Sequence, residues 1–217
     1  MRKILAAILT LMMLAVLLPS CTADVAKADT NFRLLVSDEP NDIGDFYSVN
    51  VTVSEIGILS ADTDNWTTYD VNRTFDLVKL TGDNATEIWG GLIASGNYTK
   101  VFIYVDNVTG ILKKAVNQNL PGDNATIKLP SGKLQISIPF MVTKTGDNST
   151  VDFVFDITII KAGNSGKYIL KPQIGESGPD QPYNDITPKG EKNRNDKNNN
   201  GKSENQGNVP GNRGKNK

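Results

Sequence analysis

Residues 47–58, Tyr47-Ser-Val-Asn-Val-Thr-Val-Ser-Glu-Ile-Gly-Ile58, decide the fold class. Val49, Val51 and Val53 fall on one side of an extended chain and Asn50, Thr52 and Ser54 on the other, because strand side chains alternate with a period of two. A segment so patterned is a half-buried antiparallel strand. The same reading fits Val101, Ile103 and Val105 against Phe102 and Tyr104, then Leu134, Ile136 and Ile138, then Val151, Phe153, Phe155, Ile157 and Ile159. The run from Thr150 to Lys161 is apolar in part on both faces, which puts it at a sheet centre.

Shorter strands are expected at Phe32 to Ser37, Trp66 to Asp70, Phe75 to Leu80, Ala125 to Leu129 and Tyr168 to Ile174. Gly, Asp and Asn clusters such as Gly82-Asp83-Asn84 and Pro121-Gly122-Asp123-Asn124 separate them and suit tight connections. No segment carries a long 3.6-residue period. A single open sheet would leave an apolar face wet, so the expectation is an all-β, two-layer antiparallel β-sandwich of Greek-key, Ig-like or transthyretin-like type.

Outside this body the chain changes character twice. Residues 1–20 read as a signal peptide of the lipoprotein type: Arg2 and Lys3, an apolar run from Ile4 to Leu18, then Pro19 and Ser20 before Cys21. The apolar run is shorter than the ~20 residues that span a bilayer. Cys21 is the single cysteine of the chain and resembles the lipid-accepting residue of a lipobox. Residues 21–31 read as a flexible tether, 32–175 as the folded domain and 176–217 as a disordered tail rich in Asn, Lys and Gly. The protein is therefore expected outside the cytoplasm, membrane-anchored through lipid on Cys21.

The tail from Lys189 holds eight basic and three acidic residues, whereas the segment from Thr22 to Pro188 holds 13 basic and 21 acidic. An acidic body argues against nucleic acid, which needs clustered cations. The chain has no histidine. Ser–His, Cys–His and zinc-hydrolase chemistries lose the residue they depend on, leaving carboxylate-only catalysis as in glycosidases. The leading expectation is a non-enzyme.

Several landmarks follow one another in a fixed order: Leu34-Leu35-Val36-Ser37-Asp38-Glu39-Pro40, then Val49 to Ile58 with Trp66, Asp76-Leu77 with Leu80, and Ser95-Gly96-Asn97-Tyr98. Leu129-Pro130-Ser131-Gly132, Asp152-Phe153-Val154-Phe155-Asp156 and Tyr168-Ile169-Leu170-Lys171-Pro172 complete the series. Over residues 32 to 174 the chain resembles DUF4382, a domain of unknown function of exported proteins. The resemblance implies an all-β sandwich and no particular site; Glu39 stands where a small residue is more usual.

Five constellations could carry chemistry. Asp38, Glu39, Asn41, Asp42 and Asp45 offer oxygen donors within eight residues, enough to suggest calcium, although an acidic turn reads the same way. No other cofactor is expected. A string from Asp196 to Gly201 begins like an EF-hand loop, but Gly207 occupies the twelfth position where Glu is needed. Asn-X-Ser/Thr triplets begin at Asn50, Asn65, Asn72, Asn84, Asn97, Asn107, Asn124 and Asn148 and are N-glycosylation candidates.

The aromatic residues Trp66, Trp89, Tyr69, Tyr98 and Tyr104 could stack on sugars or simply fill the core. Asp152 and Asp156 face the same side of one strand. Together these readings describe a surface lipoprotein acting as a binding or structural module toward envelope polysaccharide or another surface protein. A carbohydrate-binding module and a fibre subunit assembled by strand donation are the alternatives.

Overall fold

The computed structural model describes residues 30–143 and 150–188. Its strands are β1 Phe32–Asp38, β2 Phe46–Ser60, β3 Trp66–Asp76, β4 Asn84–Gly91, β5 Gly96–Lys114, β6 Asn117–Lys128, β7 Lys133–Val142, β8 Val151–Lys161, β9 Lys167–Pro172, β10 Gly178–Pro179 and β11 Asn184–Asp185. Short 3-10 turns at Asp42–Asp45, Leu77–Leu80 and Gly163–Ser165 are the remaining regular elements among the described residues. The fold is all-β.

Hydrogen bonding joins the strands into one sheet in the order β11-β4-β1-β8-β9-β6-β5-β2-β3, with β7 on β5 and β10 on β8. Two features depart from the expected two-layer antiparallel β-sandwich. First, β6 serves both halves: Gly110 pairs with Ala125 on the β5 side, while Thr126, Ile127 and Lys128 pair with β9. The 19-residue β5 makes this possible, because its far edge takes β7 along Gly96–Tyr104 and β6 along Gly110–Lys114. Second, β1 with β8, β6 with β9 and β11 with β4 run parallel.

The core lies between the β1/β8/β9 half and the β2/β5/β7 half. Phe32, Leu34 and Val36 of β1 and Phe153, Phe155 and Ile157 of β8 share one cluster with Val49, Val51, Val53, Val101, Ile103, Leu134 and Ile136. Phe140 stands between the halves, its ring 5.5 Å from Phe32 and 5.1 Å from Phe153. Each fully buried large apolar side chain contributes about 1.5–3 kcal/mol. Within β7, Pro139 has no N–H to offer a neighbouring strand.

The alternation of β2 holds from Val49 to Val53 and then slips. A bulge between Val53 and Glu55 turns Ile56 and Ile58 inward and leaves Glu55 and Gly57 outward. Gly57 is required there. A Cβ at that position would lie 2.1 Å from the Phe102 ring, which rests on the Gly57 backbone. Gly57→Ala is expected to cost about 1–3 kcal/mol in urea denaturation, and little or nothing when Phe102→Ala has already removed the ring. An equal cost in both backgrounds would contradict this packing.

The composition change at Gly175 predicts disorder from residue 176, and this too is corrected. Gly178 and Pro179 pair with Val154 and Phe153. The chain then crosses the outer side of β8 and β1, and Asn184 and Asp185 pair with Asn84 and Ala85 at the far edge. Average polarity hid this because the contacts are polar: Glu87 N donates to Thr187 Oγ1 at 2.7 Å and Asp156 N to Ser177 Oγ at 2.8 Å. The signal segment, Cys21, the tether as far as Asp29, and the tail from Lys189 lie outside the described residues.

Candidate binding surface

The outward side of β2, β3, β5 and β7 carries a row of rings. Phe102 packs between Trp66, at a centroid distance of 4.8 Å, and Tyr104, at 4.9 Å. Phe102 is 4 % exposed, whereas Trp66 is 40 % and Tyr104 38 % exposed. The Lys133 ammonium lies 4.9 Å from the Phe102 centroid, 5.7 Å from Tyr104 and 5.9 Å from Trp66, close enough for cation–π attraction. All four side chains stand on paired strands, since Gly57 faces Phe102 and Leu59 faces Trp66 across β2, and Lys133 faces Tyr104 across β7. Rings held this way lose little freedom when a ligand stacks on them.

Of the aromatic residues singled out in the sequence, Trp66 and Tyr104 are on this surface. Tyr98 is buried, its hydroxyl donating to Ala94 O at 2.6 Å. Trp89 and Tyr69 pack together at 4.4 Å. Sequence reading missed Phe102, Lys133 and Gly57 as members of the row. A glycine inside a long alternating strand was the available signal, because it marks a close approach.

The five oxygen donors of the Asp38 loop do not gather. Asn41 Nδ2 donates to Thr158 Oγ1 at 2.7 Å, Asp42 Oδ2 accepts from Lys161 N at 2.6 Å, and Asp45 binds Lys161 Nζ at 2.6 Å and the Tyr168 hydroxyl at 2.9 Å. The hydrogen bond from Lys161 holds the Asp45 carboxyl below the usual range. Asp38 is fully buried, and neither of its carboxylate oxygens has a hydrogen-bond partner. Burial, followed by the charges of Asp156 and Glu39, pushes it up to about 8. Among the described residues no three Asp, Glu, His or Cys side chains form a ready metal cage.

Asp152 and Asp156 also part company. Asp152 binds Arg33 through both oxygens and accepts from the Tyr183 hydroxyl at 2.5 Å. Burial alone would lower the Arg33 guanidinium, but the Asp152 carboxylate more than compensates and raises it. Asp156 Oδ1 accepts from the Ser37 hydroxyl at 2.6 Å, while its Oδ2 is buried without a partner. Burial pushes Asp156 up to about 6, with the charges of Glu176 and Glu39 adding to the shift and the Ser37 hydrogen bond opposing it.

Six glycosylation candidates, Asn50, Asn65, Asn72, Asn97, Asn107 and Asn124, are exposed. Asn84 is half-buried, its Nδ2 donating to Lys79 O at 3.4 Å, and Asn148 lies outside the described residues, as does the Asp196 string. Three of the triplets are brought into register: Asn50 faces Thr109, Thr52 faces Asn107, and Thr52 also faces Thr74 of the Asn72 triplet.

The chain is thus an all-β domain with an aromatic row on one outward face. A family model, Domain of unknown function (DUF4382), matches residues 29–172, more than half of the chain, and the chain belongs to that family. No curated protein and no solved structure matches it.

Proposed function

We propose that this chain is an exported, lipid-tethered, non-enzymatic binding module that holds envelope polysaccharide against the Trp66–Phe102–Tyr104 row. The carrying observation is that two large rings stay exposed on a rigid face where a third ring and a glycine fix their positions. A flat ring can stack on the apolar side of a pyranose, and Lys133 and Gln135, which faces Phe102, supply polar groups at its rim. Against catalysis stands the lack of histidine. Asp152 and Asp156, the paired carboxylates of β8, are committed to Arg33 and Ser37. The apolar leader and Cys21 support export and attachment to a membrane by lipid.

Affinity electrophoresis in gels containing neutral or acidic polysaccharide tests this reading. The wild-type chain is expected to be retarded in at least one gel and Trp66→Ala to run freely. In a Trp89→Phe variant, Trp66 becomes the sole tryptophan, and its emission is expected to shift to shorter wavelength with the same polysaccharide. Equal mobility of wild type and Trp66→Ala in every gel would remove the proposal.

A further inference from the structure

Away from the aromatic row, beside the end of β1 and the middle of β8, two carboxylate oxygens besides those of Asp38 are shut off from water with no donor to meet them. Asp156 is 2 % exposed and its Oδ2 is unpartnered, as is Oε2 of Glu39. The parallel register sets Ser37 opposite Asp156, and Glu39, two residues beyond Ser37, comes to the same outer face. Both carboxylates therefore stand on one side of the sheet.

The chain after β9 arches over this point. Gln173 N donates to Asp156 O at 2.9 Å, Asp156 N donates to Ser177 Oγ, and Ser177 Oγ donates to Gln173 O at 2.6 Å. The arch between them carries Glu176, whose charge, with that of Glu39, acts on Asp156. Beside it opens a cleft of about 260 Å³ lined by Ser37, Asp83, Glu176, Gln181 and Tyr183.

We propose that Asp156 and Glu39 bind a calcium-class divalent cation beneath the Gln173–Ser177 arch. A buried carboxylate oxygen facing other carboxylates is costly unless a positive charge or a proton meets it. The donors are all oxygen, which suits a hard cation. Ser37 holds the Asp156 carboxylate by Oδ1 and leaves Oδ2 free to ligate. Two carboxylates are fewer than a tight site uses, so water completes the shell on binding. Affinity then belongs to the 10⁻⁴–10⁻³ M range of extracellular modules. The site takes only Glu39 from the acidic loop and draws Asp156 from β8.

Thermal melts of the mature chain, followed by circular dichroism in 10 mM calcium chloride or in chelator with sodium chloride at equal ionic strength, decide the matter. Calcium is expected to raise the wild-type midpoint by roughly 3–8 °C. Asp156→Asn and Glu39→Gln are each expected to lose that rise while still melting cooperatively, because both replace an acid that has an unpartnered oxygen by a neutral isostere. An unmoved wild-type midpoint, or a full rise retained by either variant, overturns the site.

Discussion

Phe153→Ala is expected to lower the free energy of unfolding by about 3–5 kcal/mol, read as a shift in the urea midpoint with an unchanged slope. Phe153 is completely buried near the start of β8 and lies 5.1 Å from Phe140 and 6.4 Å from Phe32. Those three rings come from strands on opposite sides of the core. Truncation would remove the ring's transfer energy and leave a cavity that neither half can close without moving a whole strand. For a domain whose total stability is about 5–15 kcal/mol, the loss is a fifth or more of the margin. The control is Met141→Ala at a side chain that is 60 % exposed, where a change within about 0.5 kcal/mol is expected. Equal effects at both positions would mean that the rings do not form the centre of the fold.

Residues such as Phe153 were legible because burial leaves a local mark. Val49, Val51, Val53, Val101, Ile103, Leu134 and Ile136 all sit in the core that their alternation assigned them. What the alternation could not convey is pairing. The parallel partnership of β1 with β8 joins Phe32 to Val151 across most of the domain, and nothing in either strand's period announces its neighbour. The meeting of Glu39 and Asp156 is a product of that pairing and was illegible for the same reason. Alternation also assumes a constant phase, which the bulge after Val53 breaks. The aromatic row was half visible: Trp66 and Tyr104 stood out by type and alternation turned Phe102 outward, but its seat against the bare backbone of Gly57 depends on a strand pairing that the period does not announce.

The C-terminal segment is the opposite case, where composition pointed away from the fold and specific polar contacts decide. A chain ended after Ile174 is expected to lose about 4–8 kcal/mol relative to one ended after Pro188, which keeps every described contact. Four losses add up. Glu87 N loses the Thr187 hydroxyl and Asp156 N loses Ser177 Oγ, and a buried N–H left without a partner costs about 1–3 kcal/mol. Val154, 3 % exposed, loses the cover of Gln181, Pro182 and Tyr183, and Leu35 faces the same side opposite it. Arg33 loses the Tyr183 hydroxyl at 2.8 Å and the Asp185 carboxylate at 3.9 Å. Finally, β4 regains a bare edge that β11 had closed, which invites pairing between chains. The shorter chain should therefore melt well below the longer one and elute partly as aggregate on size exclusion. Coincident melts would show that residues 175–188 lie on the sheet without holding it, and that the folded body ends where its composition changes.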